Sequence, residues 1–74
     1  MNMYSLTFWD SKGRQLPIDN RIMNRFDSEV EVMTAVRQML DSAVRNGAVT
    51  VSIHNCLRWS YDEYKIIGGD LIRI

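Results

Sequence analysis

The chain has too few cysteine and histidine residues to be held together by disulfides or by a metal. Cys56 is its one cysteine and has no second cysteine to pair with. A structural zinc site needs four ligands, and His54, the one histidine, together with Cys56 supplies only two. We therefore expect a reducing, cytoplasmic environment, and neither a metal nor another cofactor.

The chain also lacks long apolar runs and an excess of charge of one sign. No run approaches the roughly 20 apolar residues of a membrane span, and no basic and apolar leader opens the chain. Nine basic residues balance nine acidic ones, which argues against bulk electrostatic capture by nucleic acid or membrane. Hydrophobic residues make up 46% of the 74, as in ordinary globular proteins. We expect one domain over 1–74, with a core small enough to leave homodimer formation open.

The strongest pattern in the chain is an amphipathic helix over 28–47. Ser28 and Glu31 match a capping box, in which each side chain accepts the backbone N–H of the other residue. Gly47 suits the left-handed position that follows a helix. The apolar residues recur every three or four positions: Val32, Met33, Val36, Met39, Leu40, Ala43 and Val44. We expect this stripe to pack on a sheet.

Before the helix, the pattern predicts a hairpin. Alternation over 2–9 predicts a strand, with Trp9 on its polar side. A turn at 10–13 leads to a short second strand over 14–18. Because Pro17 has no N–H, this second strand is expected at an edge of the sheet.

After the helix, the pattern predicts further strands. The predicted segments are strand 48–54, strand 57–61, a turn at 62–63, and strands 64–67 and 71–74. Gly68 and Gly69 fit either a two-residue hairpin turn or a bulge within one long strand. The sequence thus predicts an α+β fold. Its single helix packs on one face of an antiparallel sheet of four to five strands, in the order ββαββ(β).

His54 is the one candidate for acid–base chemistry. On the predicted strand it shares a face with Ser52, which suggests a Ser–His nucleophilic pair. Residues two apart on a strand are separated by about 7 Å, too far for a direct hydrogen bond, and no nucleophile-elbow motif surrounds Ser52. We expect no catalytic residue. A small hydrolase centred on His54 remains the second alternative.

Arginine and aromatic residues, the types that dominate interface hot spots, are the more informative group. The chain has seven Arg against two Lys, two Trp and three Tyr. Basic residues concentrate in 12–25, and Trp9 is where the strand prediction leaves a large aromatic exposed. The predicted partner-binding residues are Trp9, Arg14, Arg21, Arg25 and Trp59. The first alternative is nucleic-acid binding through the same loop, with arginines on phosphates and aromatic rings stacked on bases.

In size and layout, the chain resembles the small inhibitor proteins of phages and other mobile elements, anti-CRISPR proteins among them. The resemblance rests on a short self-contained chain from Met1 to Ile74, the helix over 28–47 and the absence of an active-site motif. It implies a cytoplasmic, non-enzymatic protein that binds a CRISPR or other host-defence effector subunit and blocks it. Because the chain is neutral with an Arg-rich loop, we expect it to bind an acidic or aromatic patch on that protein rather than to mimic DNA.

Overall fold

The computed structural model describes residues 3–17 and 25–74. These residues form one helix and four strands in the following order: β1 (Tyr4–Asp10), α1 (Glu29–Arg45), β2 (Ala48–Asn55), β3 (Ser60–Ile67) and β4 (Asp70–Arg73). The strands make one antiparallel sheet in the order β1-β2-β3-β4, and α1 packs on one of its faces. The predicted α+β fold is confirmed.

The helix begins and ends where its capping residues predict. The hydroxyl of Ser28 accepts the N–H of Glu31 at 3.2 Å, and Gly47 has a φ of 98° directly after the C-cap. The reciprocal bond differs from the prediction, because the Glu31 carboxylate accepts the N–H of Asp27 at 3.0 Å. The helix cap therefore includes Asp27, the residue before the N-cap Ser28.

The hairpin predicted before the helix is present as β1 and an isolated bridge between Trp9 and Gln15. The turn at 10–13 closes with a bond from the N–H of Gly13 to the carbonyl of Asp10 at 3.1 Å. The N–H of Leu16 still donates to Phe8, but Pro17 has no N–H to continue the ladder. The last residue of the predicted strand 14–18 lies outside the described residues.

The turn predicted at 62–63 and the strand predicted over 57–61 are both wrong in position. The side-chain oxygen of Asn55 accepts the N–H groups of Leu57 and Arg58 at 3.1 and 3.2 Å, which turns the chain directly after β2. β3 therefore begins at Ser60 and continues through both acidic residues of the predicted turn. A local side-chain hydrogen bond here outweighs the weak alternation of the sequence.

The two glycines left open by the sequence form a hairpin turn. Ile67 pairs with Asp70, and Gly68 and Gly69 have φ values of 57° and 85°. Two consecutive positive φ values are typical of the type I′ turn that matches the twist of a hairpin.

The core lies between α1 and the β1–β2 half of the sheet. Its buried residues are Leu6, Phe8, Val32, Ala35, Val36, Leu40, Ala48, Val51 and Ile53. The backbone of α1 approaches β1 and β2 but neither β3 nor β4. From the β3–β4 half, only the side chains of Tyr64, Ile66 and Leu71 reach the margin of this core.

Candidate functional site

The candidate site is the face of the sheet that points away from α1, here called the open face. Cross-strand partners share a face, so the register places His54 beside Tyr61 and Trp9 beside Thr50 on this side. Among the described residues, neither a helix nor another strand packs over it. Among the described elements, the open face is therefore a sheet surface that no helix or strand covers.

A hydrogen-bonded row crosses the middle of the open face. The indole Nε1 of Trp9 donates to the hydroxyl of Ser52 at 2.8 Å, and that hydroxyl lies 3.4 Å from Nε2 of His54. Trp9 is half-buried rather than exposed, which corrects the prediction from its strand position. The row holds the indole ring against the sheet.

The separation expected between Ser52 and His54 is also wrong. The backbone spacing of about 7 Å holds for Cα atoms, but the two side chains lean toward each other and bring their polar atoms within 3.4 Å. Ser52 is only 3% exposed, and its hydroxyl is engaged by Trp9. A substrate approaching from solvent does not reach this hydroxyl in the structure.

Beside this row, the end of the open face carries a shallow aromatic groove. The rings of His54 and Tyr61 lie 5.6 Å apart between centroids and are inclined by 30°. With Thr7 and Trp59 they line a groove of about 420 Å³. Its volume lies within the range of small-molecule sites, and its lining is predominantly apolar.

Trp59 is the most unusual residue of this groove. It has a φ of 54°, the one positive value at a non-glycine position in the described ranges, and its side chain is 94% exposed. The left-handed conformation is uncommon for a bulky residue and costs on the order of 1–3 kcal/mol. Trp59 closes the turn in which the side chain of Asn55 accepts the N–H groups of Leu57 and Arg58.

Leu57 and Tyr61 flank Trp59 and are 56% and 63% exposed. We call Leu57, Trp59 and Tyr61 together the aromatic tip. The sequence predicted Trp59 as a partner contact and offered Tyr61 only as a stacking surface in the nucleic-acid alternative. The pairing of Tyr61 with His54 was not predicted, because it depends on where the turn after β2 ends. The signal that was missed is Asn55, a residue type that commonly starts turns.

The predicted basic residues do not form one patch in the described part of the chain. Arg14 follows the end of β1 and forms an ion pair with Asp10, with Nε and Oδ2 3.1 Å apart. Arg25 precedes Phe26, which bridges to Tyr4 at the opposite end of β1. Arg21 lies outside the described residues. Partner binding by these three arginines stays a prediction.

The turn containing Arg14 perturbs one carboxyl group. The backbone N–H of Arg14 donates to Asp10 at 2.8 Å and lowers the pKa of that carboxyl below its ordinary value. Desolvation, the next largest effect, raises this pKa, while the backbone N–H of Lys12 and the guanidinium of Arg14 each lower it by less. This carboxylate stabilises the turn.

The described residues offer no cluster of three or more His, Cys, Asp or Glu side chains placed to hold a metal ion. In the same residues, the only helix is too short and too polar to cross a membrane. Comparison of the chain with protein-family models, curated proteins and solved structures gave no match.

Proposed function

We propose that this protein is a non-enzymatic protein-binding module whose main contact is the aromatic tip. The observation that carries the proposal is Trp59, which is 94% exposed on a strained backbone. An aromatic side chain that buries about 200 Å² gains roughly 5 kcal/mol at 25 cal/mol per Å². In the single chain, Trp59 stays in contact with water although its backbone is strained. An exposed aromatic side chain of this kind is suited to burial by a partner.

The surroundings of Trp59 support recognition by a preformed surface. Two hydrogen bonds to Asn55 fix the turn, and Tyr61 is anchored in β3 with its ring against His54. Little conformational entropy is then lost when a partner covers the tip. Exposed Trp and Tyr beside an apolar groove have the composition of an interface hot spot.

The proposed partner is an effector protein of host defence, such as a CRISPR subunit, which this protein blocks. Support for this class comes from the resemblance in size and layout to phage inhibitors. The proposed compartment is the cytoplasm, since Cys56 is a free and exposed thiol. An aromatic tip favours an apolar or aromatic pocket on the partner over an acidic patch.

A second candidate is binding of single-stranded nucleic acid. Rings exposed at the end of a sheet are also platforms for stacked bases, and Arg58 lies directly beside Trp59. Against this, the open face carries Glu63 as well as Lys65, and the chain has no net charge. A protein partner therefore fits the surface better.

The experiment compares capture of partners by the tagged wild-type chain and by two variants. Trp59→Asn removes the indole, and Asn adopts the left-handed conformation most readily among non-glycine residues. Its unfolding free energy should equal the wild-type value or exceed it by up to about 1 kcal/mol. Val30→Asn is the matched control, because Val30 is another strongly exposed apolar residue and lies on α1, on the other side of the sheet from the open face.

We expect Trp59→Asn to weaken binding of the captured partner at least about 30-fold, which corresponds to 2 kcal/mol for a hot-spot residue. Val30→Asn should bind like the wild type. Retention of the partner by Trp59→Asn would contradict the proposal. Capture that disappears on nuclease treatment, with a steep loss of affinity in salt, would identify nucleic acid as the ligand.

The predicted arginine contacts require a separate variant. Arg25→Glu is more informative than a change at Arg14, because the guanidinium of Arg14 is paired with Asp10 and its reversal would also disturb the turn. If the basic loop contributes, Arg25→Glu lowers the association rate, and the effect shrinks as salt is raised. An unchanged rate would remove Arg25 from the interface.

A further inference from the structure

The outer edge of β4 is a strand edge that nothing covers in the described part of the chain. β4 pairs with β3 on one side only and is the last strand of the sheet. Ile67 and Asp70 flank the two-residue turn, and the N–H of Ile74 donates to Glu63. This alternation directs the backbone N–H and C=O groups of Leu71 and Arg73 outward. Such an edge is a ready template for another strand.

A groove runs along the same edge on the side of the helix. It lies between α1 and the β3–β4 hairpin, has a volume of about 560 Å³ and is lined by Met33, Leu40, Tyr64 and Leu71 among others. The helix does not reach β3 or β4, so the apolar margin of the core remains open here. An element added next to β4 would close this groove as well as the edge.

We propose that the occupant is a second copy of this chain, paired through β4 about a two-fold axis at Ile72. The two four-stranded sheets then become one continuous antiparallel sheet, with both helices on the same face. The two grooves then adjoin across the axis, with Leu71 of each protomer beside Arg73 of the other on the helix side of the sheet. This association does not involve the aromatic tip. Trp59 directly precedes Ser60, the first residue of β3, whereas Ile72 pairs with Lys65 near the end of that strand.

The register follows from the outward-facing backbone groups. With Ile72 opposite its own copy, Leu71 of each protomer pairs with Arg73 of the other, which forms about four backbone hydrogen bonds. Moving the axis to Arg73 places two guanidinium groups directly opposite each other, which is unfavourable. Moving it to Leu71 brings the turn glycine Gly69 opposite Arg73 and loses backbone bonds. β4 therefore pairs best with the β4 of a second copy when the two-fold axis passes through Ile72.

The charges along the edge are consistent with a second copy. Arg73 is already neutralised by an ion pair with Asp62 of the same protomer. At the axis, the side chains that meet on the open face are those of Ile72, which is 50% exposed in the single chain. The chain also has no net charge to oppose self-association. A four-residue edge is short, so we expect a dissociation constant in the micromolar range, of order 10 μM.

The test is sedimentation of the full chain from about 1 to about 500 μM, a range that brackets the expected constant. The monomer is 8.6 kDa, and the proposal expects a reversible shift to twice that mass. Ile72→Glu places like charges on the axis while facing Lys65 favourably within its own hairpin. The matched control Ile67→Lys faces Asp70 in the same way but lies away from the axis.

We expect Ile72→Glu to raise the dissociation constant at least about tenfold, and Ile67→Lys to change it less than about threefold. A wild-type chain that stays monomeric throughout overturns the proposal, as does a dimer that Ile67→Lys weakens as much as Ile72→Glu. Amide hydrogen exchange of the wild type gives an independent answer if a variant misfolds. The N–H groups of Leu71 and Arg73 should gain protection as concentration rises, and exchange that ignores concentration excludes this edge.

Discussion

The two halves of this sheet are both antiparallel strand pairs, but they differ greatly in burial. β1 and β2 carry Leu6, Phe8, Val51 and Ile53 as buried residues under α1. In β3 and β4, by contrast, every residue from 60 to 73 is either exposed or only partly buried. The β3–β4 pairing is regular throughout, and the β1–β2 pairing is regular except for a shift of register between Trp9 and Asp10. Strand pairing and core formation are thus separable in this molecule.

The difference has a simple geometric cause. A helix with its side chains is about 10 Å across, while neighbouring strands lie about 4.8 Å apart. One helix therefore covers about two strands, and the chain has two more. The β3–β4 half therefore has an apolar margin and a strand edge that α1 does not cover. Both proposed interactions use surfaces of this half that the helix leaves exposed.

The largest expected effect compares one leucine from each half. Leu6→Ala removes a side chain that is fully buried under α1, and we expect it to lower the unfolding free energy by about 2–5 kcal/mol. Leu71→Ala removes the same atoms at the margin of the core, where we expect about 1 kcal/mol or less because the site is already partly hydrated. Denaturant unfolding at a concentration where the wild type is monomeric measures both.

Equal losses from the two leucine variants would show that the β3–β4 half contributes to the core as much as the covered half. That result would contradict the proposed difference between the two halves. A loss of unfolding free energy in Leu6→Ala alone would support it.

The helix cap is expected to have an intermediate effect. The Ser28 hydroxyl satisfies the N–H of Glu31, so Ser28→Ala should lower the unfolding free energy by about 1 kcal/mol. Ser42 is an exposed helical serine, and Ser42→Ala should change stability by less than about 0.5 kcal/mol. Thermal unfolding of both variants checks the pair. If Ser28→Ala is as mild as its control, the cap does not contribute to holding α1 over β1 and β2.

The smallest effect is expected at the end of β1. The pKa of Asp10 is lower in the folded chain than its ordinary 3.8, so its contribution to stability is complete above pH 3.8 and is lost as pH falls through the folded pKa. The wild type should therefore exceed Asp10→Asn in stability at neutral pH, with a difference that shrinks in acid. Unfolding curves recorded between about pH 2 and pH 7 would reveal this trend. A difference that grows in acid would contradict it.

Local signals in the sequence predicted most of the covered half. Ser28 and Gly47 mark the ends of α1, and alternation predicted both β1 and β2. Alternation also places Val49 on the buried face with Val51 and Ile53, and this is wrong: Val49 is 41% exposed and Ala48 is buried instead, where the register with β1 shifts. The hairpin over Gly68 and Gly69 was one of two alternatives, and it is the one the structure shows. These features depend on residues close together in the chain, which is why they were predictable.

The candidate site was predicted only in part. Trp59 was named as a contact, but its place in a turn was missed because the hydrogen bonds of Asn55 outweigh the alternation of the residues that follow. The contact of Ser52 with His54 was misjudged from backbone spacing, which ignores the direction in which two side chains lean. Tyr61 was named only as a stacking surface for nucleic acid, and its pairing with His54 was missed because the position of that turn sets it.

Interactions between residues a few positions apart thus made α1, β1 and β2 predictable from the sequence, whereas the start of β3 was not. Only the tertiary structure decided which surfaces remain uncovered. Register brings Trp9, Ser52 and His54 into one row, and the width of a single helix leaves β3 and β4 without cover. Both depend on contacts between residues far apart in the chain, whose geometry is fixed only when the sheet assembles.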